Sequence, residues 1–283
     1  MASIIDPATK IIFCEGQPNS LDSVFLSNIL APSTALIRPV GGKNGMKAFI
    51  DGYLSGYPID KQPEYIGFRD RDFDADPPEK EQLIELSGAK PIWLTHLACI
   101  ENYLVDSTLL WQYWHERETV ASWHHGKAPS IDLIEEHILN TAKVLCEYEA
   151  VRWGLSKLKP GSRWPEIQTT WTAKGSGDLP VSLKYKDCLV NASQLVESFK
   201  SQTEGVISEN LLAYADAYRT KFSQDSFASA KQYRFWFHGK DFLVQLCKRF
   251  GNGFPRASYL TWAVAHIDSS KYPDLQQLAR IFS

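Results

Sequence analysis

Over the first third of the chain, short apolar runs alternate with stretches of helical periodicity. Residues 10–14 predict a buried strand. Asn19-Ser20 then offers an N-cap to a helix over Leu21–Leu30, in which Val24, Phe25, Ile29 and Leu30 are apolar. A second strand is predicted over Thr34–Val40 and closes on Gly41-Gly42-Lys43. A helix over about 45–54 follows, and Gly56-Tyr57-Pro58 breaks it. Tyr65–Phe68 predicts a third strand, residues 79–87 a short helix, and Pro91–Leu94 a fourth strand. This alternating order implies parallel strands joined by right-handed crossovers.

After Thr95 the pattern turns helical. Apolar residues recur at helical spacing over Cys99–Trp114, with Ile100, Tyr103, Leu104, Leu110 and Tyr113. The longest helical stretch is 131–158, with a stripe of Ile134, Ile138, Leu145, Tyr148 and Leu155. Residues 159–180 are rich in Pro and Gly and predict an irregular loop or linker. Helices resume near 191–201, 208–222 and 240–250. The fold class expected is α/β, a small parallel-sheet core with a C-terminal, mostly helical lobe. The boundary is placed at 1–125 for the core and 126–283 for the lobe, with the lobe contributing to the site and to partner binding.

Composition narrows the class. At 283 residues the chain is long enough for a sizeable core. A net charge of -3 gives no bulk attraction to nucleic acid, so such contact needs a local basic patch or a partner. Nine tryptophans, among them Trp111, Trp114, Trp123, Trp153, Trp164 and Trp171, read first as core and interface residues and second as base-stacking surfaces. Five scattered cysteines contain no CxxC pair, which argues against a zinc knuckle or a redox motif and for buried free thiols in a reducing compartment. No leader-like start and no run of about 18 apolar residues is present, so a cytoplasmic protein with no membrane association is expected.

Two acidic signals carry the candidate chemistry. The first is Glu15-Gly16, at the end of the first apolar run. The second is Asp70, Asp72 and Asp74, following the third. Open α/β sheets bind ligands at the C-terminal ends of their strands. Asp70 and Asp72 stand two apart and face one side of an extended chain, so both can reach one magnesium ion. Asp74 is an outer-shell charge or a turn cap, and Arg69 and Arg71 are candidate salt-bridge partners of a merely solvated acidic turn. Glu15 suits metal ligation or proton transfer, and Asp22, one turn into the next helix, can face the same site. The Gly41–Gly45 segment lacks P-loop spacing and reads as a turn bordering the site. His124-His125-Gly126-Lys127 reads as a polar loop.

Strand-Glu-Gly followed by strand-Asp-x-Asp resembles the Toprim domain of topoisomerases, primases and OLD-family nucleases. Asp70-Arg71-Asp72-Phe73, Cys99-Ile100-Glu101-Asn102-Tyr103-Leu104 and Phe237-His238-Gly239-Lys240-Asp241-Phe242-Leu243 narrow the resemblance. Together they are similar to the Toprim/OLD-like nucleases that include the effector of the PARIS anti-phage defence system. The resemblance covers residues 10 to about 250. It implies a Toprim-like core, with Glu15 as acid/base or metal ligand and Asp70 and Asp72 holding Mg2+, or Mn2+ in its place. It implies Glu101 as a further acid and Lys240 as a cation facing a phosphate. It also implies an endonuclease that acts as a toxic effector on a nucleic acid, tRNA before DNA. Its partner is an ABC-type ATPase sensor that holds it inactive, and its assembly admits a homodimer. One departure stands out: many Toprim sequences carry Asp four residues after the glutamate, where this chain has Asn19, and Asp22 is the substitute.

Two other readings remain open from the residues. A haloacid-dehalogenase-like phosphatase uses Asp70 as nucleophile and Asp72 as acid, but carries that strand first in its core. A non-catalytic interaction module uses the aromatic-rich helical region as a binding surface.

Overall fold

The computed structural model describes residues 10–31, 35–86, 88, 90–158, 181–182, 184–251 and 253–282. β1 (Ile11–Cys14) is buried along its whole length. Ser20 caps α1 (Leu21–Ile29), its side chain accepting from the Ser23 amide. β2 (Leu36–Pro39), α2 (Met46–Leu54) and β3 (Tyr65–Arg69) follow as the periodicity predicts. β4 (Ile84–Glu85) and β5 (Ile92–Leu94) complete a sheet of order β2-β1-β3-β5-β4. β2, β1, β3 and β5 are mutually parallel, and β4 runs antiparallel at the edge.

β4 corrects an expectation. The segment from 79, predicted as a helix, pairs Ile84 with Leu94 and Glu85 with Trp93. Ile84 is half-buried and Glu85 exposed, and two residues are too few for a period of two to stand out. Residue 87 and the predicted loop over 159–180, with Trp164 and Trp171, lie outside the described residues.

Both faces of the sheet are covered. Ile12, Cys14, Ile66 and Phe68 meet Leu26 of α1 on one face, together with Leu278 of a C-terminal helix. Ile11, Phe13 and Ile92 meet Met46, Ile50 and Leu54 of α2 on the other. Gly67 in β3 keeps that second face close, because a Cβ there would stand 3.0 Å from Ile92 Cγ1 and 3.1 Å from Met46 Sδ.

The apolar stretch from Cys99 is two helices, α3 (Ile100–Tyr103) and α4 (Ser107–Arg117). Asp106 separates them by starting the second, its carboxylate accepting from the Leu109 amide at 2.9 Å. Next come α5 (Ile131–Lys157), α6 (Tyr185–Thr203) and α7 (Ser208–Phe222). On α5, Ile134, Ile138 and Leu145 are buried as expected, whereas Tyr148 and Leu155 are about half exposed. α8 (Asp225–Ser229), α9 (Tyr233–Trp236), α10 (Gly239–Arg249), α11 (Arg256–His266) and α12 (Pro273–Phe282) finish the chain. Trp114 and Trp153 are buried core residues. Of the five free cysteines, Cys14 and Cys99 are buried and the other three are partly exposed.

The chain divides into two compact units. One joins Met1–Glu149 to Phe222–Ser283, and the other is Ala150–Lys221. Residue 125, where the boundary was expected, lies within the first, as does the whole segment after 222. In the second unit, Gly154 lets two helices meet, since a Cβ would stand 3.0 Å from the Ala215 amide nitrogen. The Trp153 and Tyr218 rings lie 5.4 Å apart beside this contact. Among the described residues, no helix is long and apolar enough to cross a membrane.

Candidate functional site

The site forms where β1, β3 and β5 end. After Glu15, the chain turns at Gly16 with φ 87°, a conformation that suits glycine, and a Cβ there would collide with Ser20. Gly16 exchanges backbone hydrogen bonds with Gly41, at 2.8 and 2.9 Å. This clamp brings the turn carrying Lys43 beside the turn carrying Glu15. Asn19, where the family pattern has an acid, is exposed and takes φ 65°, serving the turn. Asp22 follows in the first turn of α1, and its Oδ2 would lie 3.4 Å from a Cβ on Gly16.

β3 delivers the acidic cluster. Asp70 is 5% exposed, and its Oδ1 accepts from the Ile100 amide at 3.0 Å. Asp72 takes φ 50°, an uncommon conformation for a residue with a side chain, and its amide donates to the Ala98 carbonyl at 2.7 Å. Between them, the fully buried Arg71 braces the turn. Its Nε donates to the His96 carbonyl at 3.1 Å, and its guanidinium reaches the carbonyls of Ala75 and Phe235. Arg69 pairs with Asp74 at 2.6 Å, as an acidic-turn partner should. Lys43 Nζ lies 2.7 Å from Asp72 Oδ2 and 3.1 Å from Asp74 Oδ2.

The turn after β5 meets a segment more than 130 residues later in the chain. Asn102 makes the junction: its Oδ1 accepts from the Cys99 amide at 3.0 Å and the Gly239 amide at 2.8 Å, and its amide nitrogen donates to the Phe237 carbonyl at 2.7 Å. Gly239 permits the approach, because a Cβ would stand 2.5 Å from the Asn102 backbone nitrogen. The junction places Lys240 Nζ 3.9 Å from Glu101 Oε1 and His238 Nε2 3.2 Å from Asp72 Oδ1.

These groups form one electrostatic set. Burial pushes the Glu15 carboxyl up to about 7, and the charge of Asp72 adds to the shift. Burial raises Asp70 well above the carboxylate range, helped by Asp22, Asp72 and Glu101. Burial raises Asp22 too. On Asp72, burial works in the same direction, but hydrogen bonds with His238 and Lys43 overcome it and hold the carboxyl well below its usual range. Burial alone would lower Lys240, yet Glu101 and Asp70 raise it and keep it charged.

All six residues singled out in the sequence, Glu15, Asp22, Asp70, Asp72, Glu101 and Lys240, therefore converge. In comparisons with known proteins, no protein-family model matches the sequence and no curated protein matches it. The chemistry of the site rests on its own geometry.

That geometry suits a hard divalent cation. The donors are carboxylate oxygens, the kind magnesium and manganese take. Glu15 Oε1 is buried with no hydrogen-bond partner, a costly arrangement that a cation relieves. Among the described residues, the group of three such donors within 4.8 Å of one another is Asp70, Cys99 and Glu101, and Glu15, Asp22 and Asp72 lie outside it. Three contributors had no assigned role in the sequence reading: Lys43 as a carboxylate partner, His238 and Asn102. His238 and Asn102 belong to the ordered motifs, but only long-range contacts reveal what they do.

Proposed function

We propose that the chain is a magnesium-dependent endonuclease of the Toprim/OLD type. In this reading it is the toxic effector of a PARIS-type anti-phage defence system, cutting phosphodiester bonds in tRNA in the cytoplasm once released by an ABC-type ATPase partner. The observation that carries the proposal is the convergence of five carboxylates and Lys240 at the strand ends, with Glu15 Oε1 buried and unpaired. Two buried and three half-buried acids this close repel one another and make sense as cation ligands.

When bound, the ion supplies Lewis-acid stabilisation of the phosphoryl oxygens and a water of lowered pKa. The protein supplies the rest. Asp70, bonded to the Ile100 amide, and Asp72, whose own amide bonds to Ala98, would hold the ion with Glu15 and Asp22. Before the ion binds, Glu15, whose carboxyl is pushed up to about 7, carries a proton near neutral pH that it would release on binding. Glu101 keeps Lys240 charged and oriented. The Lys240 side chain is 57% exposed, so its ammonium can meet the charge that develops on a substrate phosphate.

The phosphatase alternative carries its Asp-x-Asp after the first strand of the core, whereas here it follows β3, the third strand along the chain. Incubating the purified chain with magnesium and separate tRNA and DNA pools tests the proposal. Cleavage of tRNA that a chelator stops supports it. No magnesium-dependent cleavage of either pool, by the chain alone or with its ATPase released, refutes it.

A further inference from the structure

Lys43 stands where a cation is wanted. Its ammonium bridges Asp72 and Asp74, and its side chain is 28% exposed. It projects from the Lys43–Gly45 turn, which has room to adjust: a Cβ on Gly42 or Gly45 would meet nothing within 4 Å. Asp72, by contrast, is anchored from other directions, through its amide to Ala98 and through Oδ1 to His238. Asp74 keeps a second cation, Arg69, so departure of Lys43 leaves it paired. On the neighbouring turn, Glu15 Oε1 has no hydrogen-bond partner. The carboxylates are thus fixed and incompletely neutralised, while the lysine beside them sits on a flexible four-carbon stem.

We propose that Lys43 is an exchangeable counter-ion. In the metal-free protein it neutralises Asp72. When a divalent cation takes that carboxylate, the ammonium turns outward and binds a phosphate of a polynucleotide. Only the second half of this inference rests on the nuclease reading.

The test uses the full chain with Lys43→Met, which keeps the stem and removes the charge, and Lys43→Arg, which keeps the charge. Calorimetric titration with magnesium alone should give about fivefold tighter binding for Lys43→Met, the scale of one partly exposed ion pair removed from competition, and near-wild-type binding for Lys43→Arg. The metal-free Lys43→Met protein should also melt lower and gain more from magnesium than the wild type does. Unchanged or weaker magnesium binding by Lys43→Met overturns the exchange. Binding of a bulk tRNA pool is then measured in calcium against salt concentration. Lys43→Met should bind more weakly, with a log–log salt slope shallower by about one. An unchanged slope overturns the phosphate half alone. A wild-type chain that binds no tRNA counts against the nuclease reading and the phosphate half, and leaves the exchange to the magnesium titration.

Discussion

Asp70 and Asp72 stand two residues apart on one turn, yet their surroundings drive them in opposite directions. Asp72 faces Lys43 and His238 and stays ionised far below the usual carboxylate range. Asp70 is buried among Asp22, Asp72 and Glu101 and is pushed far above it, and Glu15 on the neighbouring strand is raised as well. The acids thus form two flanks in protonation: Asp72, held charged by its bonds with Lys43 and His238, and Asp70 with Glu15, raised chiefly by burial. Neighbouring acids separated in this way divide roles between standing charge and proton exchange.

The sharpest way to break the comparison is to remove an acid from the protonated flank. Glu15→Ala should lower magnesium-dependent cleavage by on the order of 10³-fold, the scale for losing a group that supports the transition state, and leave the circular dichroism spectrum unchanged. Full activity in a cleavage assay would remove Glu15 from the chemistry.

Gly239→Ala attacks the junction that brings Lys240 to this flank. Its Cβ would stand 2.5 Å from the Asn102 nitrogen and 2.8 Å from the Glu101 carbonyl carbon, both backbone atoms. Overpacking of this kind should cost about 3 kcal/mol in a denaturant melt.

The pH dependence separates the flanks. Glu15 binds its proton more tightly folded than unfolded, with a folded pKa of about 7 against an ordinary 4.5. Metal-free stability should therefore fall as pH rises from 4.5 to 7, by about 2 kcal/mol from this group after solvent screening. Asp72 acts with the opposite sign: its stabilisation is present above its ordinary 3.8 and is lost as pH falls below it. Melts across pH with and without magnesium check this, because a bound ion holds Glu15 deprotonated and should remove the upper slope.

The smallest effect compares the two neighbours directly. In the metal-free protein, Asp72→Asn should cost about 1.5 kcal/mol, because it weakens charge-assisted hydrogen bonds to Lys43 and His238. Asp70→Asn should be close to neutral, since an amide oxygen can still accept from Ile100 and a disfavoured charge is removed. Equal losses in a melt would erase the distinction between the flanks.

The acids were the more legible in sequence. Glu15 and the Asp-x-Asp turn end apolar runs, a local pattern, and strands β1, β2, β3 and β5 were predicted in their correct order. The partners of Asp72 were not read. Lys43 was placed at a turn bordering the site, but its partners lie 29 and 31 residues away, and His238 reaches Asp72 from 166 residues away. No periodicity encodes such distances. The short β4 was missed for a related reason, since it depends on tertiary partners such as the Gln277 side chain that accepts from the Leu83 amide at 3.0 Å. The Asp106 cap and α12, with Leu275 and Leu278 buried and Gln276 and Arg280 exposed, are local signals that were passed over.

The Asn102 junction also bears on when the site comes into being. Glu15, Asp70, Asp72 and Glu101 emerge early in synthesis, whereas Gly239 and Lys240 lie in the last fifth of the chain. Asp274, later still, accepts from the His96 amide at 3.1 Å and from the Tyr103 hydroxyl, so the turn bearing Glu101 gains its final supports near the end. A ribosome-bound fragment carries the acids without their lysine and without that bracing. Assembly of the site therefore waits for the last fifth of the chain, and a prematurely truncated product lacks it.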